Sequence, residues 1–109
     1  MKLKIQLIAL LLFAGLQFAH AQKIGLLIDS YFIDRWYTDQ KVLSERVQEL
    51  GGQCITENAN GNADEQIRLA TKMMNEGIDV LVIVAVDGKK AIQIVDAAKA
   101  KNIPSAWVF

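Results

Sequence analysis

A doubly wound α/β fold, with a Rossmann-like parallel sheet and flanking helices, follows from three observations. Four short apolar runs begin at residues 23, 53, 80 and 103. Each pair is separated by a stretch with helical apolar periodicity, and each such stretch ends in glycine or asparagine. The resulting order, β-α-β-α-β-α-β, requires parallel strands joined by right-handed crossovers. The expected strand order is 2-1-3-4.

KIGLLID, residues 23–29, is nearly continuously apolar and closes on an acid, which suits a strand covered on both faces. From Asp34 the period changes: Trp36, Leu43, Val47 and Leu50 share one helical face, while the charged residues lie mostly elsewhere. Gly51-Gly52 ends that helix. QCITE, residues 53–57, is the second strand. Within it Cys54 reads as a small buried residue, because no histidine or basic side chain close in sequence lowers its pKa. Asn60, Gly61 and Asn62 turn the chain into the second helix, and Asn62 with Glu65 has capping-box spacing. Ile67, Ala70 and Met74 form the apolar face of that helix and Gly77 its end. DVLVIVAV, residues 79–86, is the most strongly apolar and β-branched run and belongs at the centre of the sheet. Asp87 is placed to cap the third helix, where Lys89 and Lys90 sit at the unfavourable positive end. Ile92, Val95 and Ala98 are expected to face inward, and Asn102 closes the helix. IPSAWVF, residues 103–109, supplies the fourth strand.

The residues before this unit read differently. Lys2 and Lys4, the apolar run from Ile5 to Phe18 and the small residues of Ala19-His20-Ala21 make a signal peptide, residues 1–21, cleaved after Ala21. The run falls short of the roughly 20 residues that a membrane span needs, so no stable membrane insertion is expected after cleavage. Residues 22–109 then form one compact piece. It ends on an apolar strand with no helix after it, and so reads as the amino-terminal part of a longer protein.

Composition narrows the function. The chain has 12 Lys+Arg and 12 Asp+Glu; loss of Lys2 and Lys4 with the leader leaves 10 basic against 12 acidic residues. No basic patch calls for nucleic acid. Cys54 is the single cysteine, so no internal disulfide forms. The single histidine, His20, lies in the leader, which leaves no His-based triad and no His metal cluster. No glycine stands between Gly25 and Gly51, so the dinucleotide fingerprint is missing. The expectation is a binding protein, with no enzyme activity, cofactor or metal.

In open parallel sheets, ligands bind beyond the carboxyl ends of the strands. That edge collects residues 29–36, 57–62 and 86–88. Arg35 offers a planar fork of donors and Trp36 a flat apolar face, a combination that suits the hydroxyls and C–H faces of a neutral sugar. The alternative packs Trp36 into the core and leaves Arg35 in solvent. Asp29 and Asp87 are the further candidates for ligand contact at this edge. Each has a structural reading as well, Asp29 as a turn-capping acid and Asp87 as the helix cap.

The succession KIGLLID, DRW opening a helix, ELGG, ENANGNADEQI, NEGIDVLVIVAVDG and AKAKNIP resembles type I periplasmic sugar-binding proteins, above all the xylose-binding members. The resemblance runs from Lys23 to about Pro104; the ANGN loop and the acid-Arg-Trp are its more specific parts. It implies that residues 22–109 are part of the amino-terminal lobe of a periplasmic two-lobed receptor that closes on a monosaccharide. Such a receptor delivers its sugar to an ABC permease, or signals through a sensor kinase when it is the outer domain of a hybrid two-component protein. In xylose-binding relatives the Arg-Trp pair touches the sugar, which carries over to Arg35 and Trp36. The family's Asp-Arg pair after the fourth strand has no counterpart in IPSAWVF.

Overall fold

A computed structural model describes residues 21–108. The leader, apart from Ala21, lies outside the described residues, as does Phe109. Four strands, β1 (Lys23–Ile28), β2 (Gln53–Asn58), β3 (Val80–Val84) and β4 (Ser105–Val108), alternate with three helices, α1 (Asp34–Glu49), α2 (Ala63–Asn75) and α3 (Gly88–Ala100). All neighbouring strands are parallel and their order is β2-β1-β3-β4, as the sequence predicts.

Strand alternation divides the core between the two sheet faces. Leu26 and Ile28 of β1 and Val84 of β3 meet Trp36 of α1 on one face. Leu27, Leu81 and Ile83 meet Leu69 and Met73 of α2 and Ile94 of α3 on the other. Right-handed crossovers explain the division: the β1–β2 connection moves one way along the sheet, and the β2–β3 and β3–β4 connections move the other. Among the described residues α1 is therefore the one helix on its face, with a groove of 440 Å³ beside it, lined in part by Leu43, Val82, Val84 and Val108. On the opposite face α2 approaches closely, because a Cβ on Gly25 would stand 3.0 Å from Ile78 Cδ1 and 3.3 Å from Met73 Sδ.

The helix ends follow local chemistry. Asn62 caps α2 by accepting from the Glu65 N–H at 3.0 Å, and Asp87 caps α3 by accepting from the Lys90 N–H at 2.9 Å. The reciprocal half of the capping box is not formed, since the Glu65 carboxylate binds Arg68 instead. α1 and α3 end in Schellman turns: the Gly52 N–H reaches the Val47 carbonyl, and the Ile103 N–H the Ala98 carbonyl. The left-handed residues these turns require are Gly51 and Asn102, at φ 84° and 58°.

Several sequence expectations need correction. Leu50 is not on the buried face of α1; it is 72% exposed, because the helix has already ended and Leu50 is its C-cap. Ile92 is 51% exposed, since the buried stripe of α3 is Ala91, Ile94 and Ala98, and Ile92 lies one residue step, or about 100° of helix, off that line. Cys54 is half-buried on the edge strand β2. β4 starts two residues later than expected because Ile103 still belongs to the turn closing α3. β3 stops at Val84, short of the expected residue 86, where a buried side chain meets the main chain.

That side chain is Gln66, on the first turn of α2 and 1% exposed. Its amide donates to the Val84 carbonyl at 2.9 Å and accepts from the Val86 N–H at 3.1 Å. Two main-chain groups at the end of β3 thus have a helix side chain as a partner. Gln66→Leu keeps the volume but removes the amide from the buried Val84 carbonyl and the half-buried Val86 N–H. It should lower unfolding free energy by about 2 kcal/mol or more, read from the urea midpoint. An unchanged midpoint would show that water replaces the amide.

Candidate functional site

Every polar loop that the sequence assigns to ligand binding lies at the carboxyl edge of the sheet. The β1–α1 and β2–α2 loops are tied to each other there. The Ala59 N–H donates to the Ile28 carbonyl at 2.9 Å and the Gly61 N–H to the Asp29 carbonyl at 2.8 Å. The turn that brings the Gly61 amide to that carbonyl is left-handed at both Asn60 and Gly61, at φ 52° and 74°. The Asn58 side chain holds the turn by accepting from the Asn60 N–H at 2.9 Å. Asp29 follows β1 directly, and its carbonyl, as the anchor of the ANGN turn, fixes where that residue stands.

Arg35 and Trp36 occupy the first turn of α1 and have opposite environments. Trp36 is 8% exposed and packs on Leu26, Ile28 and Val84, whereas Arg35 is exposed. This is the alternative that the sequence left open beside the sugar-contact reading. The two residues still form a unit, with the guanidinium carbon of Arg35 4.8 Å from the centre of the indole and Nε donating to Asp39 Oδ2 at 3.2 Å. The cation is thereby held over a ring that is itself locked in the core.

At the end of β3, Asp87 is exposed and caps α3, leaving the sequence reading of a helix cap in place beside any ligand role. Lys90, expected to be unfavourable at the positive end of the helix, is offset by an ion pair. Its ammonium lies 2.6 Å from Asp64 Oδ1, and that bond raises its pKa above the ordinary lysine value. The pair also links the first turns of α2 and α3 across the edge. Among the described residues no three His, Cys, Asp or Glu side chains converge on a metal position.

Two features of this edge escaped the sequence reading. Gln66 could have been found: it lies in line with the buried positions 69, 70, 73 and 74 of α2, where a polar residue needs a partner. The exposed aromatic cluster of Tyr31, Phe32 and Tyr37 carries no periodic signal, since most of it lies in the loop before α1.

Comparison with known proteins places this geometry. Residues 24–107 match the periplasmic binding protein domain. The chain is 36% identical over 87 residues to the D-xylose-binding periplasmic protein of Escherichia coli K12, covering 78% of this chain and 26% of that protein. It therefore spans about a quarter of the length of that relative. Among solved structures it is similar to an ABC transporter solute-binding protein from Mycobacterium smegmatis with bound glycerol, at TM-score 0.78 and 27% identity over 82% of this chain and 31% of the other. It is also similar to the fructose-binding periplasmic domain of a hybrid two-component system, at TM-score 0.67 and 26% identity over 77% of this chain and 28% of that one.

Cys54 stands apart from this edge, near the amino end of β2. Burial pushes its thiol above the ordinary value, against smaller opposing effects from Thr56 and Ser44. Less thiolate is present at any given pH, so iodoacetamide at pH 8 should alkylate the folded protein more slowly than the urea-unfolded one. Equal rates would show the thiol to be freely solvated.

Proposed function

The chain belongs to the periplasmic binding protein domain family, and on that premise we propose that it forms one wall of a receptor cleft for a xylose-like monosaccharide, serving ABC-type uptake. The observation that carries the reading is the 36% identity to a D-xylose-binding periplasmic protein. The carboxyl-edge position of Arg35, Trp36, Asp29 and Asp87 supports it. In this reading Arg35 grips sugar hydroxyls with the donors that Asp39 does not use, and the buried indole of Trp36 keeps the first turn of α1 in place beneath it. Asp29 and Asp87 are acceptors for further hydroxyls. The protein binds and releases its ligand by closure of the cleft and performs no chemistry on it.

Export completes the proposal. Residues 1–21 act as a leader removed after Ala21, and residues 22–109 work in the periplasm as part of the amino-terminal lobe. No helix among the described residues is long and apolar enough to cross a membrane. A second reading, the sugar-sensing outer domain of a membrane-bound hybrid two-component protein, is favoured by the 26% identity to such a domain. A membrane span and a kinase encoded in the same polypeptide would select it.

Calorimetric titration of the complete encoded polypeptide with D-xylose, D-ribose and D-glucose tests the receptor reading. Saturable binding of one of them is expected. Arg35→Ala should weaken it by about 1 to 3 kcal/mol without lowering the unfolding midpoint, because the side chain is exposed. Trp36→Ala is a poorer test, since losing a buried indole costs about 3 to 5 kcal/mol of stability by itself. Wild-type affinity in Arg35→Ala would remove that residue from the site, and no binding of any monosaccharide would reject the receptor.

A further inference from the structure

The chain holds five asparagines, and Asn60 is the one followed by glycine. After Asn58, Asn62, Asn75 and Asn102 the next residue carries a side chain. Asparagine is among the chemically labile residues, and its side-chain carboxamide is attacked by the main-chain nitrogen of the residue that follows. A glycine nitrogen is the least hindered for that approach. Asn60 and Gly61 are both exposed, so water and hydroxide reach them. The fold restrains the approach. The Gly61 N–H is committed to the Asp29 carbonyl at 2.8 Å, and the Asn60 N–H to the Asn58 side chain at 2.9 Å. The Gly61 nitrogen is therefore turned toward another loop, and once stripped of its proton it would face the lone pairs of the Asp29 oxygen.

We infer that Asn60 is a site of spontaneous deamidation, and that the hydrogen bond from Gly61 to the Asp29 carbonyl is its gate. Hydroxide removes the Gly61 N–H proton and the nitrogen attacks Cγ of Asn60. A C–N bond forms, the Cγ–Nδ2 bond breaks, and the amide nitrogen leaves as ammonia with a proton from water, which restores hydroxide. Water then adds across either C–N bond of the cyclic imide, giving aspartate or isoaspartate. Nothing is oxidised or reduced. The isoaspartyl form routes the main chain through the side-chain carbons, so the turn lengthens and Gly61 moves out of register with Asp29. Opening of the tie admits the reaction, and that product keeps the tie from closing again. Because the ANGN turn is anchored on the Asp29 carbonyl, the modification uncouples the β1–α1 and β2–α2 loops at the carboxyl edge. The chemistry needs only this turn and water, and holds whatever the edge binds.

The test is incubation of the complete encoded polypeptide in mildly alkaline buffer, folded and in guanidinium, followed by mass spectrometry of the tryptic peptide 47–68. Exchange of the Asn60 amide for a carboxyl is expected, with Asn58 and Asn62 of the same peptide unchanged. The folded protein should react at least about tenfold more slowly than the unfolded chain, in which Gly61 is free. Hydrogen exchange of the wild-type Gly61 amide reads the same opening without any substitution, and its protection should agree with the ratio of the two rates within about threefold. Asn60→Gly, which suits a left-handed turn, should abolish the mass gain and keep the thermal midpoint. In protein aged to the isoaspartyl form, protection of the Gly61 amide should be lost. Equal rates in the folded and unfolded wild type, or a Gly61 amide that exchanges as fast as in the unfolded chain, overturn the gate. An Asn60 that keeps its amide in guanidinium overturns the site.

Discussion

The constraint on which the structure depends is that β1 has no face available to water. Its side chains point alternately to two apolar layers, Leu26 and Ile28 one way and Leu27 the other, and all three are buried. A strand in that position needs a strand on each edge and a helix layer on each side. A chain can supply both with crossovers that leave every strand parallel. Parallel strands in turn gather all the β-to-α loops at one edge. The candidate site is therefore a consequence of how KIGLLI is covered, before any ligand is considered.

The same edge collects the unpaired amides at the starts of the helices, and the chain assigns these to side chains. Asn62 and Asp87 take the first turns of α2 and α3, and Lys90 with Asp64 ties those turns together. Exposed pairs of this kind contribute little to stability in water, so their effect lies in where they hold the loops. Gln66 differs because it is buried: its two hydrogen bonds hold the main chain at Val84 and Val86, just before Asp87. The main chain just before an exposed candidate acid is thus bonded to a hidden amide from another helix.

Much of the fold was legible because it is written in periods. The alternation of apolar strands with amphipathic stretches gave the element order, and turn residues at 51–52, 60–62, 77 and 102 gave the boundaries. Strand order followed from the topology that such halves usually adopt. Errors came where the period is blind. Ile92 has the hydrophobicity of a core residue and the wrong angle on its helix, and Leu50 lies one residue beyond its helix. The extent of β3 was misjudged because the main chain after Val84 pairs with Gln66, which is distant in sequence. At the site, the residue types of Arg35 and Trp36 were readable, but their exposures were not. Burial of the indole depends on Val84 from β3, a neighbour that no local pattern discloses.

The order of strands also has a temporal meaning. β1 is the earliest strand in the chain yet occupies an interior position, and its two edges are claimed by β2 and β3, which come after α1 and α2. As the polypeptide emerges amino end first, KIGLLI waits with both edges open until Asn58 has appeared, and with one edge open until β3 has followed. An apolar segment in that state pairs readily with other chains, and non-local parallel pairing closes slowly. The fold thus sets a minimum length of chain that must be kept from collapsing before its first strand can be safe.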